Sequence, residues 1–206
     1  MTKVKICGLK RLADVEAVNR FSADYAGFVF AASKRQVTIQ EAAVLSRELD
    51  DNICPVGVYV DASVAEIVEA VSRNIIRAVQ LHGHETPEYV CELKKQIPAG
   101  VLIIKAIGMT AGKEQEIDLW QQSEADYLLL DAASAGGGKP FDHTLIEQNG
   151  AISKPWFLAG GINQENTALL IRRFLPYGID VSSGAETEGL KDPEKIEAII
   201  RSVRNE

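Results

Sequence analysis

Eight times along this chain a short apolar run is followed by a turn and then by a segment of helical period. The runs are Val4–Cys7, Tyr25–Phe30, Pro55–Val60, Ala78–Leu81, Val101–Ile107, Tyr127–Asp131, Trp156–Ala159 and Ile179–Val181. Each is rich in Val, Ile, Leu or aromatic residues, which suits a strand buried on both faces of a parallel sheet. The segments between them carry helix-start signals. Thr38-x-x-Glu41 and Ser63-x-x-Glu66 have the capping-box pattern, in which side chain and backbone satisfy each other's orphan donors. Thr86-Pro87 and Asp192-Pro193 set a cap residue before a proline at the first helical position. Ile196, Ile199, Ile200 and Val203 recur at i, i+3, i+4 and i+7, so one stripe of the last helix faces a sheet. Alternation of this kind, with no antiparallel run, implies parallel strands joined by right-handed crossovers. An open doubly wound sheet satisfies it too, but eight regular units ending in a helix favour closure. The expectation is an α/β fold, a single-domain (β/α)8 TIM barrel over residues 1–206.

Charge and cysteine usage remove several function classes. The 22 basic and 29 acidic residues leave a net charge of −7, without the basic stripe that nucleic-acid binding requires. No apolar run approaches the ~20 residues of a membrane span, and Met1-Thr2-Lys3-Val4-Lys5 enters a strand-like run with no signal-peptide core. The three cysteines, Cys7, Cys54 and Cys91, are odd in number and widely spaced, so neither a disulfide framework nor a CxxC metal pair is expected. The reading is a cytoplasmic protein with a small-molecule ligand. An edge-free barrel forces no partner, so it is a monomer or a homodimer.

In a (β/α)8 barrel the active site lies at the C-terminal ends of the strands. The first strand ends Lys5-Ile6-Cys7-Gly8, and period two points Lys5 and Cys7 inward and Ile6 toward the helices. A nearby cation favours the thiolate of such a cysteine, although a lone cysteine is as often core filler. The sixth run ends in one carboxylate, Asp131, a candidate general acid or simply a turn cap. Gln80 and His82 share a face of strand four, and no second His or Cys stands at zinc-ligand spacing. His84 and His143 read as loop residues. Gly160-Gly161 and Ser182-Ser183-Gly184 follow strands seven and eight, where barrels of this kind bind phosphate through bare backbone N–H groups. Two tight turns would use the same glycines. Asp180 would meet Lys5 when strands eight and one pair, a contact that structure alone would also justify. Arg35, in Ser33-Lys34-Arg35, offers a bidentate fork to a substrate carboxylate, though most loop arginines do nothing of the kind.

Taken in order, these residues resemble a known family. Val4-Lys5-Ile6-Cys7-Gly8, Gly27-Phe28-Val29-Phe30 with Ser33-x-Arg35, and Val79-Gln80-Leu81-His82-Gly83 carry the first half. Leu129-Leu130-Asp131, Gly138-Lys139-x-Phe141-Asp142, Leu158-Ala159-Gly160-Gly161-Ile162-Asn163 and Gly178-Ile179-Asp180-Val181-Ser182-Ser183-Gly184 carry the second. The chain resembles phosphoribosylanthranilate isomerase of tryptophan biosynthesis. The resemblance implies a cofactor-independent Amadori rearrangement of N-(5-phosphoribosyl)anthranilate to the corresponding 1-deoxyribulose 5-phosphate. Matched residue by residue, it implies Cys7 as general base, Asp131 as general acid and Arg35 at the anthranilate carboxylate. The loops at Gly160-Gly161 and Ser182-Ser183-Gly184 correspond to those that hold the phosphate.

There are departures from the family pattern. Ala135-Gly136-Gly137-Gly138 lacks the usual hydroxyl residue, and Ser33-Lys34-Arg35 lacks the usual proline. Neither touches the expected acid or base. Among rival phosphate-binding barrels are indole-glycerol-phosphate synthase and thiamine-phosphate synthase. The former needs a lysine acid, for which Lys105 is the only candidate. A barrel that merely senses a phosphorylated metabolite would need no pairing of Cys7 with Asp131.

Overall fold

The structure is a computed structural model that describes residues 1–109, 114–131, 146 and 152–206. Eight strands form in the expected places: β1 (Lys3–Cys7), β2 (Tyr25–Val29), β3 (Cys54–Tyr59), β4 (Ala78–Leu81), β5 (Leu102–Gly108), β6 (Tyr127–Asp131), β7 (Trp156–Ala159) and β8 (Gly178–Val181). They close in sequence order into one parallel barrel, with β1 hydrogen-bonded to both β2 and β8. Seven helices are described: α1 (Leu12–Phe21), α2 (Ile39–Arg47), α3 (Val64–Ser72), α4 (Pro87–Gln96), α5 (Glu114–Gln121), α6 (Thr167–Phe174) and α7 (Pro193–Arg204). The capping boxes form as the sequence dictates: Thr38 and Ser63 each accept the N3 amide, and Glu41 and Glu66 reach back to the cap backbone. The cap residues Thr86 and Asp192 stand before prolines at the starts of α4 and α7.

Strand periodicity divides the apolar residues into two cores. The outer one lies between strands and helices and takes Val4, Ile6, Phe28, Val79, Leu128, Leu130 and Ile179 with the helix stripes, including Ile196, Ile199, Ile200 and Val203. The inner one fills the barrel: Tyr25, Val56, Ala78, Ile104, Ala106, Leu129, Phe157 and Ala159. At the N-terminal end it becomes aromatic. The Tyr25 and Phe157 rings meet edge to face at 5.3 Å, Phe157 meets Tyr177 at 5.3 Å, and Tyr127 lies 4.9 Å from Tyr177. The Tyr25 and Tyr177 hydroxyls are hydrogen-bonded at 2.9 Å, so buried Tyr25 and partly buried Tyr177 satisfy each other's polar ends.

Two aspartates brace the N-terminal rim in matching ways. Asp24, just before β2, accepts from the Val4 amide at 2.9 Å and from Lys3 at 2.8 Å. Asp126, just before β6, accepts from the Ile103 amide at 2.7 Å and from Lys94 at 2.9 Å. Arg204, at the end of α7, donates to the Asp24 carboxylate at 2.9 Å and so ties the last helix to the first strands.

Two features were not anticipated. After β8 a short 3-10 turn (Ser183–Ala185) leads into a two-stranded antiparallel hairpin, β9 (Glu186–Thr187) and β10 (Leu190–Lys191), with Lys191 opposite Glu186. And Lys105 points outward from β5, not into the barrel. It is 2% exposed, donates to Glu85 and to the Gly83 carbonyl at 2.7 Å each, and lies 5.3 Å from the Trp120 ring centre. A lysine spent on a buried ion pair beneath a helix is no acid for a substrate inside the barrel, which removes the indole-glycerol-phosphate synthase alternative.

Candidate active site

A cavity of about 370 Å³ opens at the C-terminal ends of the strands. Its wall brings together Cys7, Arg35, Gln80, His82, Asp131, Gly160, Gly161, Asp180, Ser182, Ser183 and Gly184. A second cavity of about 460 Å³ lies outside the barrel, beside Thr38, Ile39 and Glu66 at the starts of α2 and α3, and contains none of them. The Gly136–Gly138 stretch, with Lys139, Phe141, Asp142 and His143, lies outside the described residues. His84 is exposed at the rim and pairs with Asp61 at 3.0 Å.

On the β1 wall, register places Lys5 beside Asp180, and Lys5 Nζ donates to Asp180 Oδ1 at 2.8 Å. Lys5 has no solvent exposure and Asp180 only 9%. Burial of a lysine disfavours its charge, but Asp180 and then Cys7 outweigh that, so Lys5 is held above its ordinary value and stays an ammonium. Cys7 sits one strand step further toward the mouth, 7% exposed. Its thiol is pushed up: burial dominates, while Lys5 and, more weakly, Lys191 pull the other way. The sequence argument that a neighbouring cation favours the thiolate therefore needs correction, because desolvation is the larger effect. Ser182 is also partly spoken for, since its hydroxyl donates to the Cys7 carbonyl at 3.3 Å.

Asp131 closes β6 at the opposite side of the mouth. Its side chain is 21% exposed and its Oδ2 stands 3.3 Å from His82 Nε2. Gln80, below His82 on the same inward face, is 1% exposed, and its side-chain nitrogen lies 3.0 Å from His82 Nδ1. With that amide donating, neutral His82 carries its own proton on Nε2, the atom that faces Asp131. The Gln80 carbonyl oxygen is buried and has no hydrogen-bond partner among the described residues.

Arg35 reaches the cavity from the loop after β2, with its fork already engaged. Nε and Nη2 donate to the two oxygens of Glu186 at 2.7 and 2.8 Å. Glu186 also accepts from the buried Lys191 at 2.7 Å, and Lys191 donates in turn to the Ser182 carbonyl at 3.0 Å. Burial by itself would raise the Glu186 carboxyl; the hydrogen bonds from Arg35 and Lys191 overcome it and hold the group at about 2. Sequence reading missed Glu186 and Lys191. Their only signal was Glu188-Gly189, a turn pair between two very short polar runs.

The loops after β7 and β8 are shaped by glycine. Gly160 and Gly161 both take positive φ. Gly184 is required by proximity, because a Cβ there would collide with the Ile162 carbonyl, so the loops after β7 and β8 touch only if this residue has no side chain. Among the described residues no group of three or more His, Cys, Asp or Glu side chains converges as metal ligands would.

A closed (β/α)8 barrel with its polar groups gathered at the strand C-termini is the architecture of barrel enzymes that act on small metabolites. The chain belongs to the N-(5'-phosphoribosyl)anthranilate (PRA) isomerase family, whose profile matches residues 4–202. It is 42% identical over 205 residues to the N-(5'-phosphoribosyl)anthranilate isomerase of Streptococcus pneumoniae serotype 19F (strain G54), covering 100% of this chain and 97% of that one. The crystal structure of phosphoribosyl anthranilate isomerase from Thermotoga maritima superposes with a TM-score of 0.89 at 33% identity, covering 100% of each chain. A further isomerase structure, solved with reduced 1-(o-carboxyphenylamino)-1-deoxyribulose 5-phosphate, gives a TM-score of 0.86 at 32% identity over 100% of both chains.

Proposed function

We infer that this cavity carries out the isomerisation of N-(5'-phosphoribosyl)anthranilate in tryptophan biosynthesis, with Cys7 as general base and Asp131 as general acid. The observation that carries the residue assignment is their placement: a thiol ending β1 and a carboxyl ending β6 line one cavity from well-separated strands. An aldose-to-ketose rearrangement of a ribosylamine needs one proton donor and one acceptor on different sides of a sugar.

In this reading Asp131, protonated, gives its proton to the ring oxygen while the anilino nitrogen pushes open the C1–O bond, leaving an iminium ion and a carboxylate. The Cys7 thiolate then removes the proton from C2, and the electron pair moves through C1=C2 to nitrogen, giving an enolamine. Protonation at C1 and loss of the 2-hydroxyl proton complete the ketone. Each such group contributes about 10² to 10⁴-fold. His82 steadies the Asp131 carboxyl. The unpartnered Gln80 carbonyl suits a sugar hydroxyl, since leaving a buried acceptor unsatisfied costs roughly 1–3 kcal/mol. Lys5, beneath Cys7, offsets part of the cost of ionising it, while Asp180 acts the other way.

The glycine and serine backbone of Gly160-Gly161 and Ser182-Ser183-Gly184 suits the 5-phosphate, and Arg35 the anthranilate carboxylate. A phosphate gripped far from the reacting carbons orients the sugar and reduces the entropy cost of reaction. We read residues 1–206 as one such domain, working in the cytoplasm on a small phosphorylated substrate as a monomer or homodimer. Among the described residues no helix is long and apolar enough to cross a membrane. The test is turnover of freshly prepared phosphoribosylanthranilate, followed by the fall in anthranilate fluorescence. Enzyme at micromolar concentration that leaves the decay at its spontaneous rate would refute the assignment.

A further inference from the structure

We propose that Glu186 and Lys191 are positioning residues that make Arg35 specific for an aryl carboxylate: Glu186 fixes the guanidinium from one edge, and Lys191 cancels the charge of Glu186. This rests on the reading that the substrate bears an anthranilate carboxylate.

The geometry supports it in three ways. Glu186 occupies only the Nε/Nη2 edge of the Arg35 fork, at 2.7 and 2.8 Å. A guanidinium has five N–H donors, so the Nη1/Nη2 edge remains for a second bidentate carboxylate, and Arg35 lines the cavity. Next, Arg35 and Glu186 alone would be a neutral pair with little pull on an anion. Lys191, 5% exposed and 2.7 Å from Glu186 Oε1, restores a net single positive charge to the group. Finally, the hairpin is built to hold this arrangement. Glu188 and Gly189, at φ 52° and 80°, form the positive-φ two-residue turn that matches the twist of paired strands. That turn brings Lys191 opposite Glu186. Lys195 Nζ further holds the Glu186 carbonyl at 2.7 Å, and Arg11 holds that of Lys191 at 2.9 Å. Because Lys191 also donates to the Ser182 carbonyl, one ammonium supports both the carboxylate fork and the loop at Ser182.

The experiment compares two dead-end ligands on wild type, Glu186→Gln, Lys191→Met and Arg35→Ala. One is reduced 1-(2-carboxyphenylamino)-1-deoxyribulose 5-phosphate; the other is its phenylamino counterpart without the carboxylate. In Glu186→Gln the inhibition constant of the carboxylated ligand should rise at least tenfold, and that of the other should change less than threefold. In Lys191→Met, which also loses the ammonium that supports the Ser182 loop, both should rise, the carboxylated one at least threefold more. KM for phosphoribosylanthranilate should rise with kcat within threefold, the mark of lost uniform binding. Once Arg35 is alanine, adding Glu186→Gln should have no further effect. Equal weakening of both ligands would overturn the proposal and leave these residues as loop supports, and so would no change for either. Should one variant fail to fold, the other carries the same comparison. Wild-type enzyme inert toward phosphoribosylanthranilate would instead strike the parent reading.

Discussion

Cys7→Ser and Asp131→Asn should each lower kcat by at least a hundredfold while the affinity for the reduced product analogue stays within a few-fold, measured by fluorescence kinetics and inhibition. Either variant retaining near-full activity would remove that residue from the chemistry. The thiol also sets a pH dependence. Burial raises the Cys7 value above the ordinary one despite Lys5, so at neutral pH the thiol is mostly protonated and the thiolate fraction grows as pH rises. The expected kcat/KM profile therefore climbs from pH 7 into the alkaline range; a flat or falling profile there would contradict the thiolate as base. The placement of both residues at the mouth was legible because each is the only titratable group at that end of its own strand, and strand periodicity fixes their direction. The protonation of Cys7 was not legible, because it depends on how fully Lys5, Asp180 and the rim enclose it. The partner of Arg35 was equally hidden, since Glu186 lies 151 positions away in sequence.

Among the elements, the strands and capped helices followed directly from apolar runs and cap residues, with ends shifted by one residue at β1, β2, β3, β5 and β8. The hairpin of β9 and β10 did not, because two-residue strands carry no period to detect. Its acid response should nevertheless be measurable. Glu186 is held at about 2, below its ordinary value near 4.5, so its ion pairs stabilise the fold fully above that value and are lost as pH falls toward 2. The stability gap between wild type and Glu186→Gln in urea melts should therefore narrow from pH 6 to pH 3; a constant gap would mean the pairs contribute nothing. At the neighbouring loops, Gly184→Ala forces the turn after β8 away from Ile162. It should raise KM, weaken competitive inhibition by simple sugar phosphates at least tenfold and lower the thermal midpoint, because the clash is with backbone. Unaltered inhibition would detach this loop from phosphate binding.

At the level of the whole molecule, closure rests on β1 pairing with β8 and on Arg204 drawing α7 against Asp24. The matched aspartates, Asp24 ahead of β2 and Asp126 ahead of β6, brace the rim at two points four strands apart. The inner aromatic cluster supplies much of the packing, and Phe157, fully buried between Tyr25, Tyr127 and Tyr177, is its centre. Phe157→Ala should cost about 3–5 kcal/mol of unfolding free energy, read from chemical denaturation; a loss under 1 kcal/mol would show that the cluster is not a packed core. That same plug of rings shuts the lower exit of the cylinder. Among the described residues the mouth is then the way in and out for both reactant and ketose, so accumulated ketose phosphate meets incoming ribosylamine at one doorway.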